Sequence, residues 1–161
     1  MTVFFQHVGE RGGQRDFPRT IGRHDEGLVT FSFDEVVEDL DHLSNDELDD
    51  IRDSVNAYAP NGFQIWGIPS GAQSVINNLK VGDYLLLLET NGPGGTFYYG
   101  GVVVARPSQT CFDLSQRLWG EQRFPLILFL RGGLTRYRWF DFCDRLGYSR
   151  RWNPAGMTIR L

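Results

Sequence analysis

Between Phe63 and Leu130 short apolar runs alternate with glycine and proline, and this punctuation admits little except a small β-rich unit. The run Phe63-Gln64-Ile65-Trp66-Gly67-Ile68 reads as a strand stopped by Pro69-Ser70-Gly71. Val81-Gly82-Asp83 then turns the chain into a second strand, apolar without a break from Tyr84 to Leu88. A glycine-rich connection over 90–96 leads to Phe97-Tyr98-Tyr99-Gly100-Gly101-Val102-Val103-Val104-Ala105, so strands over 84–89 and 97–105 are predicted to form a hairpin. Leu118-Trp119-Gly120-Glu121 precedes a further strand over 125–130. Trp66 and Trp119 thus stand near opposite ends of the unit, each beside a glycine that lets another group approach the backbone.

Helical patterns flank this unit. Val36, Val37, Leu40 and Leu43 mark one amphipathic stripe. Leu48, Ile51 and Val55 mark a second, entered through Ser44-Asn45-Asp46-Glu47 with Ser44 and Glu47 at capping-box spacing. Shorter helices are predicted over about 70–78, 111–118 and 139–147, the last closed by Gly147. Residues 157–161 are predicted to form a closing strand. Residues 1–30 give a strand at Val3-Phe4-Phe5 and then a polar loop. Arg11, Arg15, Arg19 and Arg23 recur every four residues, but interleaved glycines, proline and acids argue against a helix there. The chain is therefore read as α+β. Residues 1–58 supply a strand, a loop and acidic helices packed on or beside a barrel formed by 59–161.

With 161 residues the chain is long enough to enclose a real core. No apolar run approaches the roughly 18 residues of a membrane span, and the N-terminus lacks the pattern of a secretory leader. A cytoplasmic protein with reduced thiols at Cys111 and Cys143 is expected, with no membrane partner. Charge is segregated along the chain. Asp34 to Asp53 holds ten acids against the single base Arg52, whereas Gly100 to Leu161 holds ten arginines against four acids. That asymmetry fits a polyanion-facing half beside a solvated acidic half, or simply a charged surface. The acid run lacks the residue order of an EF-hand. Phosphate-loop, dinucleotide, nucleophile-elbow and zinc-protease motifs are all absent, and His7, His24 and His42 have no cysteine partners for a zinc deaminase. Lys80 and Asp83 could form an acid–base pair, but a turn residue beside a solvated lysine is the favoured account of them. For Trp66 and Trp119 core packing and a stacking cage are both open.

Trp66 in Ile65-Trp66-Gly67-Ile68-Pro69, Gly82-Asp83 leading a strand, Tyr99-Gly100-Gly101-Val102 in the next, and Leu118-Trp119-Gly120 before Leu126-Ile127-Leu128-Phe129 occur in an order that resembles the PUA-like superfamily, specifically its EVE and YTH branches. The likeness covers about residues 60–161 and is nearest to the modules of modification-dependent restriction proteins of the McrBC and HNH-fused kinds. It implies a small twisted barrel flanked by helices, with an aromatic pocket for a methylated or hydroxymethylated base flipped out of duplex DNA. By resemblance the base-binding set comprises Trp66, Trp119, the backbone of Gly67 and Ile68, Ser70, Asn56, Asp83, Tyr84, Tyr98 and Tyr99. Arg106, Arg117, Arg123, Arg131, Arg136 and Arg138 would grip phosphates. Trp66-Gly67-Ile68 stands where the YTH branch has Trp-Ser/Ala-Thr, so the hydroxyl residue after the first tryptophan is absent. No cofactor, metal or catalytic residue is implied, and a nuclease or motor would act from another domain or subunit. An RNA-binding module and a small ASCH-type hydrolase of the same superfamily are the rival readings.

Overall fold

The computed structural model describes residues 2–90 and 94–151, and the backbone of 158–159. Strand β1 (Val3–Gly9) runs into helix α1 (Glu10–Thr20), followed by a two-stranded ribbon of β2 (Gly22–Arg23) and β3 (Gly27–Leu28). The acidic region folds as α2 (Phe33–Val36), a 3-10 turn over Val37–Leu40, and α3 (Asn45–Tyr58). Then come β4 (Gln64–Ile68), a 3-10 turn over Ser70–Ala72, α4 (Gln73–Ile76), β5 (Tyr84–Thr90), β6 (Thr96–Ala105), α5 (Phe112–Trp119), β7 (Leu126–Arg138), α6 (Trp139–Leu146) and β8 (Thr158–Ile159). Asn91, Gly92 and Pro93 of the hairpin connection lie outside the described residues, as does most of the predicted closing strand.

The main sheet has the order β4-β7-β6-β5-β1-β8, with β1 parallel to β5 and every other pairing antiparallel. It curls into a half-barrel. Trp66 Nε1 on β4 donates to Gln6 Oε1 on β1 at 2.6 Å, although β7, β6 and β5 separate those strands in the sheet. A glycine cluster permits close approach at the middle of the curl. Gly100 faces Gly133 and Gly101 faces Gly132 across β6 and β7, and a Cβ on Gly132 would sit 2.0 Å from the Gly100 carbonyl oxygen.

Three apolar clusters organise the packing. Phe4, Phe17, Ile21, Trp66, Ile68, Leu85, Leu87, Tyr99, Leu128 and Leu130 fill the inside of the curl under α1 and α4. Outside it, Ile65, Val104, Ile127 and Phe129 meet α2, α3 and α5 through Val36, Leu40, Ile51, Val55, Leu114 and Trp119. α6 lays Trp139 and Cys143 on Val3, Phe5, Leu88 and Phe97. Because β4 is covered on both faces, all five of its residues are buried. β1 pairs with β5 over its whole length, so the N-terminal strand is part of the curl itself. Among the described residues no helix is long and apolar enough to cross a membrane.

Most predicted elements form where expected. Ser44 caps α3 by accepting from the Glu47 amide at 3.2 Å, and Gly147 closes α6 in the left-handed conformation. The predicted strand over 125–130 continues to Arg138, carrying its two glycines in the ladder. One expectation is overturned: the polar loop after the first strand is α1. Its buried residues Gly13, Asp16, Phe17 and Thr20 recur at the spacing of a single helical face. Burial of Phe17 and Ile21 inside the curl outweighs the poor helix propensity of Gly12, Gly13 and Pro18.

Candidate functional site

Five aromatic rings run in a chain from Trp119, on the outer side of the sheet, to His24. Trp119, at the C-terminal end of α5, meets Trp66 edge to face with centroids 6.3 Å apart. Trp66 meets Phe17 of α1 at 5.3 Å and 33°. Phe17 stacks on Tyr98 at 4.0 Å and 14°, and His24 covers Tyr98 at 4.4 Å. Phe17 is thus a ring held between two aromatic walls.

The local sequence explains how each member is placed. Gly67 has no room for a side chain, since a Cβ there would lie 2.7 Å from the Trp119 ring and 2.6 Å from the Phe124 carbonyl oxygen. Trp119 can therefore lie flush on the edge strand. Gly13, one turn before Phe17, leaves room for the phenyl ring to fold back along α1, where a Cβ would come within 2.8 Å of it. Register shifts at Phe97/Tyr99 break the strict alternation of β6. As a result Tyr98 and Tyr99, neighbours in sequence, both pack against the inner cluster. Tyr99 is fully buried and donates to Gln64 Oε1 at 2.8 Å, and burial raises its phenol well above the usual range.

Beside this chain of rings opens a cavity of about 530 Å³, lined by Gly13, Gln14, Phe17, Pro18, Arg23, His24, Asp25, Glu89, Tyr98 and Arg136. Several of its polar groups are already engaged. Tyr98 donates its hydroxyl proton to the Gly22 carbonyl at 2.8 Å, the His24 Nε2 lies 2.8 Å from the Thr135 carbonyl oxygen, and Arg23 pairs with Asp25 at 3.2 Å. The Glu89 and Arg136 side chains make no hydrogen bond or ion pair with any described residue. Half-burial pushes the Glu89 carboxyl above its ordinary range; repulsion from Glu10 adds to this and His24 opposes it. Burial likewise raises the Tyr98 phenol, with Glu89 reinforcing the shift.

Of the expected base-binding residues, the fold brings Trp66, Gly67, Trp119, Tyr98 and Tyr99 to this region, and Ile68 buries its side chain in the same inner cluster. Both tryptophans are 4% exposed, so neither offers an open face while α1 is in place. The others lie apart. Asn56 is exposed on α3 and lines a separate cavity of about 310 Å³ beside the Thr30–Phe33 segment. Ser70 is exposed at the 3-10 turn, and Tyr84 is exposed at the start of β5. Asp83 closes the turn before β5, accepting from the amides of Thr2 and Lys80 at 2.9 Å each.

The arginines divide similarly. Arg117 binds Asp39 at 3.0 Å and the Glu35 carbonyl, tying α5 to the acidic helices, and Arg138 pairs with Asp141 at 3.1 Å. Arg123 lies over the Phe124 ring, Arg106 is half-buried, and Arg131 is exposed on β7. Arg136 faces the cavity. Sequence reasoning missed Phe17, His24 and Glu89; the Gly13–Phe17–Ile21 spacing was the available signal for the first. Among the described residues no cluster of His, Cys, Asp or Glu is suited to hold a metal ion. No protein-family model, curated protein or solved structure matches the chain.

Proposed function

We propose that this chain is a PUA-like, EVE/YTH-type DNA-recognition module that takes a methylated or hydroxymethylated base, flipped from the duplex, between Trp66 and Tyr98 in the place filled by Phe17. The observation that carries the reading is the seating of Phe17, a flat ring at stacking geometry against Tyr98 and within van der Waals reach of Trp66. A base entering this position exchanges one ring for another, so the walls regain most of the contact they give up. Stacking is worth roughly 1–3 kcal/mol per base, and base-edge hydrogen bonds add to it against a flipping cost of a few kcal/mol. α1 is a credible gate. It carries two glycines and a proline, and its buried Thr20 hydroxyl makes no hydrogen bond with a described residue. Arg131 and Arg136, and with them Arg106 and Arg123, supply the phosphate contacts; Arg117 and Arg138 are engaged with carboxylates. Cleavage or translocation belongs to another domain or subunit, toward which the acidic helices face.

The test is binding, at moderate salt, to matched duplexes carrying unmodified cytosine or adenine, 5-methylcytosine, 5-hydroxymethylcytosine, N4-methylcytosine or N6-methyladenine. One modified duplex is preferred, Trp66→Ala abolishes the preference in a folded protein, and the same bases in RNA bind less tightly. Equal, salt-sensitive binding to every duplex overturns the reading.

A further inference from the structure

The arginines that recur every fourth residue near the N-terminus acquire a common face once α1 forms. Arg11, Arg15 and Arg19 are exposed on one side of the helix, and Gly13, Asp16, Phe17 and Thr20 are buried on the other. Arg23, the fourth of the series, lies past the helix on β2 and is paired with Asp25 at 3.2 Å. Neither Arg11 nor Arg19 makes an ion pair with a described residue. Arg19 reaches the Leu118 carbonyl at 3.5 Å and Arg15 reaches Glu121 at 3.6 Å, contacts that are long, exposed and weak. Arg15 is also held by the buried Asp16 carboxylate through two hydrogen bonds of 2.8 and 2.9 Å, while half of its side chain stays open to solvent. A guanidinium already fixed in this way loses less freedom when it grips a ligand.

We infer that the arginine row of α1 is a docking face for the phosphate backbone of duplex DNA, separate from the arginines of β7. At roughly 1.5 Å per residue, Arg11 and Arg19 stand about 12 Å apart along the helix axis. One strand of a duplex presents about four phosphates over that length, so the three arginines match a run of backbone in spacing as well as in sign. Arg123 lies two residues beyond Glu121, which Arg15 touches, and extends the positive surface onto the loop after α5. The exposed side of α1 carries Glu10, Arg11, Gln14, Arg15 and Arg19 and no apolar side chain, so it lacks what a helix needs to enter a lipid surface. Because the row points away from Phe17, phosphates held there do not compete for the space between Trp66 and Tyr98. The docking face needs only the backbone and stands whether or not a base is read.

The test uses an unmodified duplex, so that it reads the backbone alone, and follows affinity by fluorescence anisotropy between about 50 and 200 mM salt. Arg11→Gln/Arg19→Gln leaves the Arg15–Asp16 pair and the buried side of α1 untouched, and thermal melting confirms its fold. It lowers the slope of log affinity against log salt by about 2 and weakens binding at about 100 mM salt tenfold or more. Arg52→Gln/Arg145→Gln removes the same charge from α3 and α6, where both arginines are exposed, and leaves the slope as it was. An equal loss in the two double variants shows that binding follows total charge and overturns the docking face, as does an unchanged slope in both. Sedimentation at low salt tests the rival occupant, the acidic helices of a second copy. Self-association that the α1 variant abolishes while the duplex slope stays the same assigns the row to that copy and overturns the inference. The preference for modified over unmodified duplex is measured alongside. Its absence from the wild-type chain removes the base-reading function, and the slope still decides the docking face.

Discussion

Replacing Phe17 by alanine separates a ring that merely fills the core from one that keeps a ligand's place. Phe17 is 1% exposed and stacked at 4.0 Å on Tyr98, so its truncation falls in the class of buried Phe→Ala changes that lose about 3–5 kcal/mol. For a chain of this length the melting temperature then falls by roughly 10 °C. The space left behind has aromatic walls on two sides, a shape that admits a flat ring. Indole or a free nucleobase at five times its dissociation constant should restore about 1 kcal/mol to the variant. The wild type, with Phe17 in the space, gains less. The assay is urea unfolding of both proteins with and without the ring compound, with near-ultraviolet circular dichroism to confirm the native fold. A loss below about 1 kcal/mol contradicts the packing described for α1. A variant no more responsive than the wild type shows that Trp66 and Tyr98 do not form a ring site once Phe17 is gone.

Other expectations follow from single contacts. Gly132→Ala places a Cβ against the Gly100 carbonyl and should destabilise by about 1–3 kcal/mol or more, whereas Gly133→Ala, with nothing within 4 Å, should change stability far less; chemical denaturation compares them. Burial pushes the Cys111 thiol from 9.0 up to about 12, so its protonated form is favoured by folding. The stability it contributes is fully present below pH 9 and is lost as pH rises toward 12, at up to about 1.4 kcal/mol per pH unit, a loss that Cys111→Ala abolishes in alkaline unfolding curves. Arg131→Ala should weaken binding to all duplexes and lower the salt slope by about 1. Arg117→Ala, by contrast, should loosen the acidic helices from α5 and lower the melting temperature without altering that slope.

The sheet was legible because its signals are local. Apolar runs of strand length, separated by glycine and proline, fix β4 to β7 with little help from distant residues. The helices of the acidic region were legible for the same reason, since their stripes and the Ser44 cap lie in contiguous sequence. α1 was not. Its local composition points to a loop, and only the inside of a curled sheet supplies the burial that makes Phe17 and Ile21 decisive. The length of β7 was missed similarly: Gly132 and Gly133 read as a stop, but opposite Gly100 and Gly101 they are what lets two strands come close.

The candidate site depended on that missing helix. From Trp66, Trp119 and Tyr98 alone a cage could be assembled, yet sequence order cannot tell whether its interior is empty or filled by the chain's own side chain. Nor can strict alternation along β6 place Tyr98 and Tyr99 together, because the register shift that does so has no single-residue signature. Glu89 reads as one more polar residue at the end of a strand, and its half-burial beside Tyr98 comes from β2, α1 and β7 closing around it. A helix that breaks local propensity rules, holds a ring between two aromatic walls and borders a cavity where the Glu89 and Arg136 side chains hydrogen-bond to no described residue concentrates three departures from ordinary packing in one place. Such departures are expected where a structure serves binding at the expense of its own stability. That concentration, more than any motif, is the reason to look for the ligand there.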